Sequence, residues 1–261
     1  MNAIPEAIQS IYLVTLGMAR ILAIFSMLPI FGRTVLVGSA RIAVALSLSL
    51  VLYPHLKAEV DLEALGGLTF ALVLFKEILI GVLLGFGFAV LFWAVESMGF
   101  FIDNQRGSTM ASSVDPLTGS QTSPLGIFMT QVVTVYFLIS GAILIMLRVI
   151  YESYILFPVP SFFPQLTLTD TSYFLGILDN IVALAVVFAA PAMIAMFLSE
   201  LALGLISRFA PQLNVFFLAM PVKSAVGIFL LLLYVHLLVE VWEVEFSRLP
   251  EHLSTLRGIL Q

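Results

Sequence analysis

Asp103, Asn104, Gln105 and Arg106 stand in a row directly after the apolar run at 99–102. A carboxylate, two amides and a guanidinium can hydrogen-bond, pair as ions, or hold a cation or a proton. They supply no nucleophile. Gly99 and Gly107 flank them, and glycine lets a backbone turn sharply. Downstream, Asp115-Pro116 and Thr118-Gly119 are turn signals. Thr122, Ser123 and Pro124 have the order of a helix cap followed by a first-turn proline. Residues 99–124 therefore read as a folded polar element rather than a flexible tether. Two readings stay open. One is a gate, filter or plug returning into a greasy bundle, where irregular backbone is tolerated only if protein buries it or it lines water. The other is an ordinary connector outside the membrane.

A second stretch, 207–224, has similar character. Pro211 and Pro221 bracket an apolar decapeptide carrying Gln212 and Asn214, and Lys223 follows. Broken helices with polar groups inside mark substrate sites in many transporters. A kinked hairpin whose amides satisfy freed backbone groups is the plainer reading. Catalytic chemistry finds no support. The nucleophile elbow, the P-loop and the dinucleotide fingerprint are all missing. His55, His236 and His252 are far apart, and His236 with Glu240 four residues on is more often a helix-face contact than a metal site. With no cysteine, disulfides, thiolate metal sites and cysteine nucleophiles are excluded. We expect no catalytic residue, no cofactor and no metal.

The elements that must position these residues are apolar helices. The chain has 261 residues, 61% hydrophobic and only 10% charged, with mean hydropathy +1.13, against roughly 25% charged residues in soluble domains. So much apolar surface belongs in lipid, in a large hydrophobic assembly, or in both. Net charge is −5 with no basic cluster, which argues against a nucleic-acid partner. A spanning helix needs about 20 apolar residues. Six stretches qualify, at 8–28, 35–53, 68–98, 127–147, 177–198 and 215–238. The expected fold is all-α, one subunit over 1–261, built of helical hairpins. Pro29 and Pro54 are read as stops, Pro191 as a kink and Pro221 as an interruption. The third stretch is long enough that it must tilt, protrude or break. The proline-rich run at 155–170 reads as extended or interfacial. Residues 240–261 read as an amphipathic surface tail. The first basic residue is Arg20, so the first stretch lacks a signal peptide's charged flank and is expected to be retained. Lysine and arginine are too evenly shared to orient the chain.

Arg20, Arg41, Lys76, Glu77, Glu96, Arg148, Asp179, Glu200 and Lys223 lie within or at the edges of these stretches. A charge at mid-membrane costs about 2.5–3.5 kcal/mol or more. Such groups must face partner helices, a polar cavity or each other. An ion or proton path is one reading, and pairing between helices or snorkelling near the ends is the other. Gly81 and Gly85 have the small-xxx-small spacing that lets helix backbones approach closely.

Together, "GFFIDNQRGSTMASSVDPLTGSQTSPLG" and "SRFAPQLNVFFLAMPVKS" resemble the signature segments of the SctT family of type III secretion export apparatus proteins (YscT, SpaR), whose flagellar relative is FliR. The likeness covers essentially the whole chain, including "FPVPSFFP", and the wording "IDNQRG" and "QTSP" is closer to the virulence branch. The resemblance implies a non-catalytic core subunit of the export gate in the bacterial inner membrane, closing a conduit for unfolded secreted proteins. It implies bent hairpins assembled with two smaller membrane subunits, SctR/FliP-like and SctS/FliQ-like, together with SctU-like and SctV-like subunits. That assembly would stand partly above the membrane plane on the periplasmic side, in contact with lipid. It further implies a plug formed by the loop after the third stretch. On that basis Asp103, Asn104, Gln105 and Arg106 shape the plug, Gly107 turns it, Met110 seals it, and Asp115 and Gln121 anchor its return. Gln212, Asn214 and Lys223 would hold the second hairpin against sister subunits. The alternative is a small ion-coupled secondary transporter using Asp103 or Lys223. A third class, an intramembrane enzyme, would need a dyad on facing helices, and no pair stands out.

Overall fold

A computed structural model describes residues 6–32, 36–60, 66–107, 123–161, 171–210, 212 and 214–260. The protein is all-α, and the described residues contain no strand. Helices run α1 Glu6–Met27, α2 Gly38–Glu59, α3 Gly67–Arg106, α4 Pro124–Ile139, α5 Ala142–Leu156, α6 Thr171–Phe209, α7 Val215–Ser247 and α8 Leu249–Leu260, with a 3-10 turn at Pro29–Phe31. Five of them are long and apolar enough to cross a membrane, or up to six if α4 and α5 count as one broken span.

Several boundaries differ from those expected. The third stretch neither breaks nor ends at 98. It continues as one helix to Arg106, so residues 99–106 are helical and the connecting segment starts at Gly107. Hydropathy falls at Asp103 while the helix goes on, because a change of polarity does not by itself break the backbone hydrogen-bond pattern. Pro54 does not stop α2, which runs on to Glu59, and α7 is not interrupted at Pro221; Pro191 lies inside α6, as expected of a proline within a helix. A proline removes one amide donor and crowds the preceding turn, and the packed apolar faces hold these helices regardless. The fourth stretch, by contrast, is broken. Gly141 takes φ +80°, in the left-handed region, between α4 and α5. The tail expected from Glu240 begins later, since α7 reaches Ser247 and only α8 is separate.

Contacts group the chain into two compact units. The first comprises Met1–Ala89, Leu138–Leu175 and Phe246–Gln261. Here α1 packs against α2, with Leu16, Ile24, Ala45 and Leu56 all fully buried. A Cβ on Gly17 would meet Ser49 Oγ at 2.7 Å, and Ser49 Oγ donates to the Val14 carbonyl at 3.0 Å. Gly81 and Gly85 bring α3 onto α1 as their spacing predicts: a Cβ at 81 would meet the Arg20 carbonyl oxygen at 2.5 Å, and one at 85 the Ile24 Cα at 3.0 Å. The helix α8 turns Leu249, Leu253 and Leu256 inward and packs on α5. That repeat of four and then three residues is the inner stripe of an amphipathic helix. His252 Nδ1 lies 3.2 Å from the Tyr173 hydroxyl.

Polar groups are buried in the middle of this unit. Arg20 and Glu77 are both inaccessible to solvent, with Arg20 Nη2 2.7 Å from Glu77 Oε2. Arg20 also donates to Ser153 Oγ and to the Phe157 carbonyl at 3.0 and 2.9 Å, and its guanidinium lies over the Tyr154 ring. The Tyr154 hydroxyl donates to the Gly17 carbonyl at 2.6 Å. The expected pairing between helices is therefore present for Arg20 and Glu77, Lys76 meets Glu77 on its own helix, and Asp179 and Glu96 are exposed.

The second unit comprises Val90–Phe137 and Gly176–Glu245. Phe92 meets Phe137 edge-on, with ring centroids 5.5 Å apart. Tyr234 on α7 donates to the Phe188 carbonyl of α6 at 2.9 Å, and Gly227 admits Met196. The candidate site lies in this unit.

Candidate functional site at the end of the third helix

The last turns of α3 and the first turn of α4 are brought together by two glycines. A Cβ on Gly99 would collide with the Cα and N of Gly126. Gly99 thus serves close helix packing and not the sharp turn expected of it. Three and four residues past it on the helix, Ile102 and Asp103 are both buried. A carboxylate that leaves water must be paired and hydrogen-bonded. Asp103 is paired as an ion through one oxygen and hydrogen-bonded through the other. Its Oδ1 lies 2.7 Å from Arg106 Nη2, one turn on. Its Oδ2 accepts from Ser123 Oγ at 2.7 Å and from the Leu125 amide at 2.9 Å.

Ser123 does two jobs. Besides donating to Asp103, its Oγ accepts from the Gly126 amide at 2.9 Å, which is the N-cap bond that the Thr-Ser-Pro order predicts. Pro124 occupies the first helical position, where its missing N–H costs nothing. At the other root, Gly107 takes φ +86° and its amide donates to the Asn104 carbonyl at 3.1 Å, so the turn assigned to it is present. One carboxylate therefore binds both roots of the segment 108–122. A charge-assisted hydrogen bond is shorter and stronger than a neutral one, and the two that Asp103 Oδ2 accepts measure 2.7 and 2.9 Å, beside the 2.7 Å ion pair to Arg106.

Beside this clamp is a cavity of about 290 Å³, lined among others by Asn104, Gln105, Gly107, Glu200, Met220 and Lys223. Lys223 is largely buried, and its Nζ lies 3.1 Å from Glu200 Oε2 on α6, a carboxylate about half exposed. Asn104 Nδ2 donates to the Phe100 carbonyl at 3.0 Å. The wall thus carries amides, one ion pair and a thioether, a set suited to holding polar chain segments against an adaptable apolar surface.

Of the residues expected to form the site, Asp103 and Arg106 pair at the clamp, Gly107 turns the chain directly after it, and Asn104, Gln105, Gly107 and Lys223 share the cavity. Met110, Asp115 and Gln121 lie outside the described residues. Gln212 and Asn214 are exposed and are not among the residues lining the cavity. Within the chain, Lys223 faces Glu200. Sequence reasoning took Ser123 only as a cap and left Glu200 without a partner. The available signal was that Glu200 and Lys223 are opposite charges on successive apolar helices. His236 and Glu240 form the helix-face contact expected of them, at 3.3 Å.

Residues 11–249 match the family described as "Bacterial export proteins, family 1". The chain belongs to that family. Among similar export proteins, the Yop proteins translocation protein T of Yersinia pestis is 44% identical over 221 residues, covering 84% of both chains. The surface presentation of antigens protein SpaR of Salmonella typhimurium is 36% identical over 224 residues, 84% of this chain and 81% of the other. The flagellar biosynthetic protein FliR of Bacillus subtilis is 31% identical over 261 residues, 100% of this chain and 98% of the other. Identity is higher to the first two than to FliR, in line with the virulence-branch wording of residues 102–107. The clamp lies on the first of the two segments by which the sequence resembles SctT, and the cavity is lined by residues of both together with Glu200 and Gly204 of α6.

Proposed function

We propose that this chain is a core, non-catalytic subunit of the type III secretion export gate in the bacterial inner membrane. In this reading it helps form and close the entrance of a conduit for unfolded secreted proteins, and the segment joining α3 to α4 is the plug. The observation that carries the proposal is the Asp103 clamp, because a plug that opens and reseals needs both its roots fixed to rigid helices. The cavity with Gln105, Met220 and Lys223 lies beside the root at Gly107, where a plug or a passing chain has room to shift. Met110 would add a flexible seal, and Asp115 and Gln121 would fasten the return.

Helix lengths support assembly with other hydrophobic subunits. Exposed large apolar side chains run along α6 from Leu175 to Phe209. At 1.5 Å per residue that face is about 51 Å long, against a hydrocarbon core of about 30 Å. A 40° tilt, the upper end for membrane helices, still leaves about 39 Å of it to cover. The remainder needs protein cover, consistent with SctR-like and SctS-like neighbours and a complex standing partly above the membrane on the periplasmic side. Gln212 and Asn214 are exposed before α7, and in this reading they would meet such a neighbour.

The test is ionic leak and partner retention together. Deleting 108–122 should raise resting ion conductance across the inner membrane, while the protein still co-purifies with two smaller hydrophobic subunits. Unchanged conductance would remove the plug assignment. A stable, active protein without partners would favour the transporter reading instead.

A further inference from the structure

Lys76 on α3 ends in a cage. Its Nζ donates to the carbonyl oxygens of Pro158, Val159 and Ser161 at 3.0, 2.8 and 3.0 Å. A fourth oxygen, Glu77 Oε1, stands 3.0 Å away. The group is almost wholly buried, with the Lys76 side chain 6% and the Glu77 side chain 0% exposed. An ammonium has three protons to share among four oxygens. Three of the four carbonyls of one turn, those of Pro158, Val159 and Ser161, converge on a point, an arrangement a backbone adopts around a cation, since carbonyl dipoles otherwise repel one another.

Charge decides which kind of cation. Glu77 is already balanced by Arg20, through Nε at 2.8 Å and Nη2 at 2.7 Å. Without Lys76, that pair is neutral and the cage is a set of carbonyl dipoles with one shared carboxylate oxygen. A divalent ion would lack its countercharge there. The oxygen distances also exceed those of calcium, about 2.3–2.6 Å, and of magnesium, about 2.0–2.1 Å. They suit an ion the size of ammonium or potassium.

We propose that the Pro158–Ser161 turn is a monovalent-cation site whose resident cation is the chain's own Lys76 ammonium. The Ser161 amide and hydroxyl also donate to the Pro158 carbonyl, at 3.3 and 2.7 Å; the positive charge is what draws the Val159 and Ser161 carbonyls to the same point, and the lysine stem is the tether that keeps it filled whatever the surrounding ions. By this means α3 fixes the exit of α5, at the start of the proline-rich run. The inference does not depend on the export role.

The experiment uses the full-length protein, purified with whatever subunits accompany it, carrying Lys76→Ala. Thermal unfolding and proteolysis at 158–161 are followed in tetramethylammonium, methylammonium, potassium and magnesium chlorides at equal ionic strength. Methylammonium and potassium should raise the melting temperature of the variant by about 5 °C over tetramethylammonium and slow cleavage about tenfold. Magnesium should do neither, and the wild-type protein should be indifferent to the choice. Equal behaviour of the variant in all four salts overturns the proposal. If alanine prevents recovery of folded protein, Lys76→Ser provides a further oxygen and should be rescued by potassium. Its failure to respond overturns the proposal equally.

Discussion

Asp103→Ala takes away the carboxylate on which Ser123, the Leu125 amide and Arg106 converge. Asp103 is 1% exposed, so water cannot replace it without a rearrangement of the helix ends. Removing one partner of a buried ion pair costs about 3–5 kcal/mol, and each donor left unsatisfied costs about 1–3 kcal/mol. These terms overlap, so the expected loss is about 3–5 kcal/mol. Asp103→Asn, with its carbonyl oxygen in the Oδ2 position, still accepts from Ser123 and the Leu125 amide, but it loses the charge and sets an NH2 group against Arg106, which places it near 2 kcal/mol. Hydrogen exchange by mass spectrometry reads this locally. At 1.4 kcal/mol per factor of ten, the amides at 125–127 should exchange about thirtyfold faster in the asparagine variant and faster still in the alanine one. Ser123→Ala should cost about 1–2 kcal/mol as a lost cap and donor. The double variant should cost less than the two singles together, because both act on one bond. Wild-type exchange at 125–127 in Asp103→Ala would refute the clamp.

Gly99→Ala should destabilise the protein by about 1–3 kcal/mol through overpacking, because its Cβ would meet backbone atoms of Gly126 that cannot rotate away. Gly176→Ala on α6, where nothing lies within 4 Å of the added Cβ, should be neutral or stabilising by up to about 1 kcal/mol. Thermal unfolding of the two variants makes that comparison, and equal effects would count against close packing at Gly99. Lys223→Glu should impair secretion by setting two carboxylates together at the cavity. Adding Glu200→Lys should restore it if the 3.1 Å pair is what matters there. Failure of the swap, with both single variants defective and folded, would mean that each residue has a partner of its own.

The apolar stretches were legible because about 20 uninterrupted apolar residues have few other uses. Their ends were less so. Asp103 to Arg106 read as loop because polarity changes there, yet a helix leaving an apolar layer keeps its backbone bonds and changes only its side chains. Pro54 and Pro221 read as a stop and an interruption because a proline penalty is local and visible, whereas the packing that outweighs it is not. The break that does occur, at Gly141, carried no signal beyond a lone glycine after serine.

By itself the sequence determined that the helices are apolar, that Ser123 and Pro124 start one of them, and that the scattered charges need protein partners, since lipid offers none. It also carried the export-family likeness on two short segments. Tertiary structure decided which charges meet. Arg20 finds Glu77 across 57 residues, Lys223 finds Glu200 across 23, and Lys76 finds three carbonyls more than 80 residues away. Helical periodicity sets the side of a helix on which a charge lies. Only the packing of one helix on another, made close by Gly81, Gly85, Gly99 and Gly126, sets what stands opposite it.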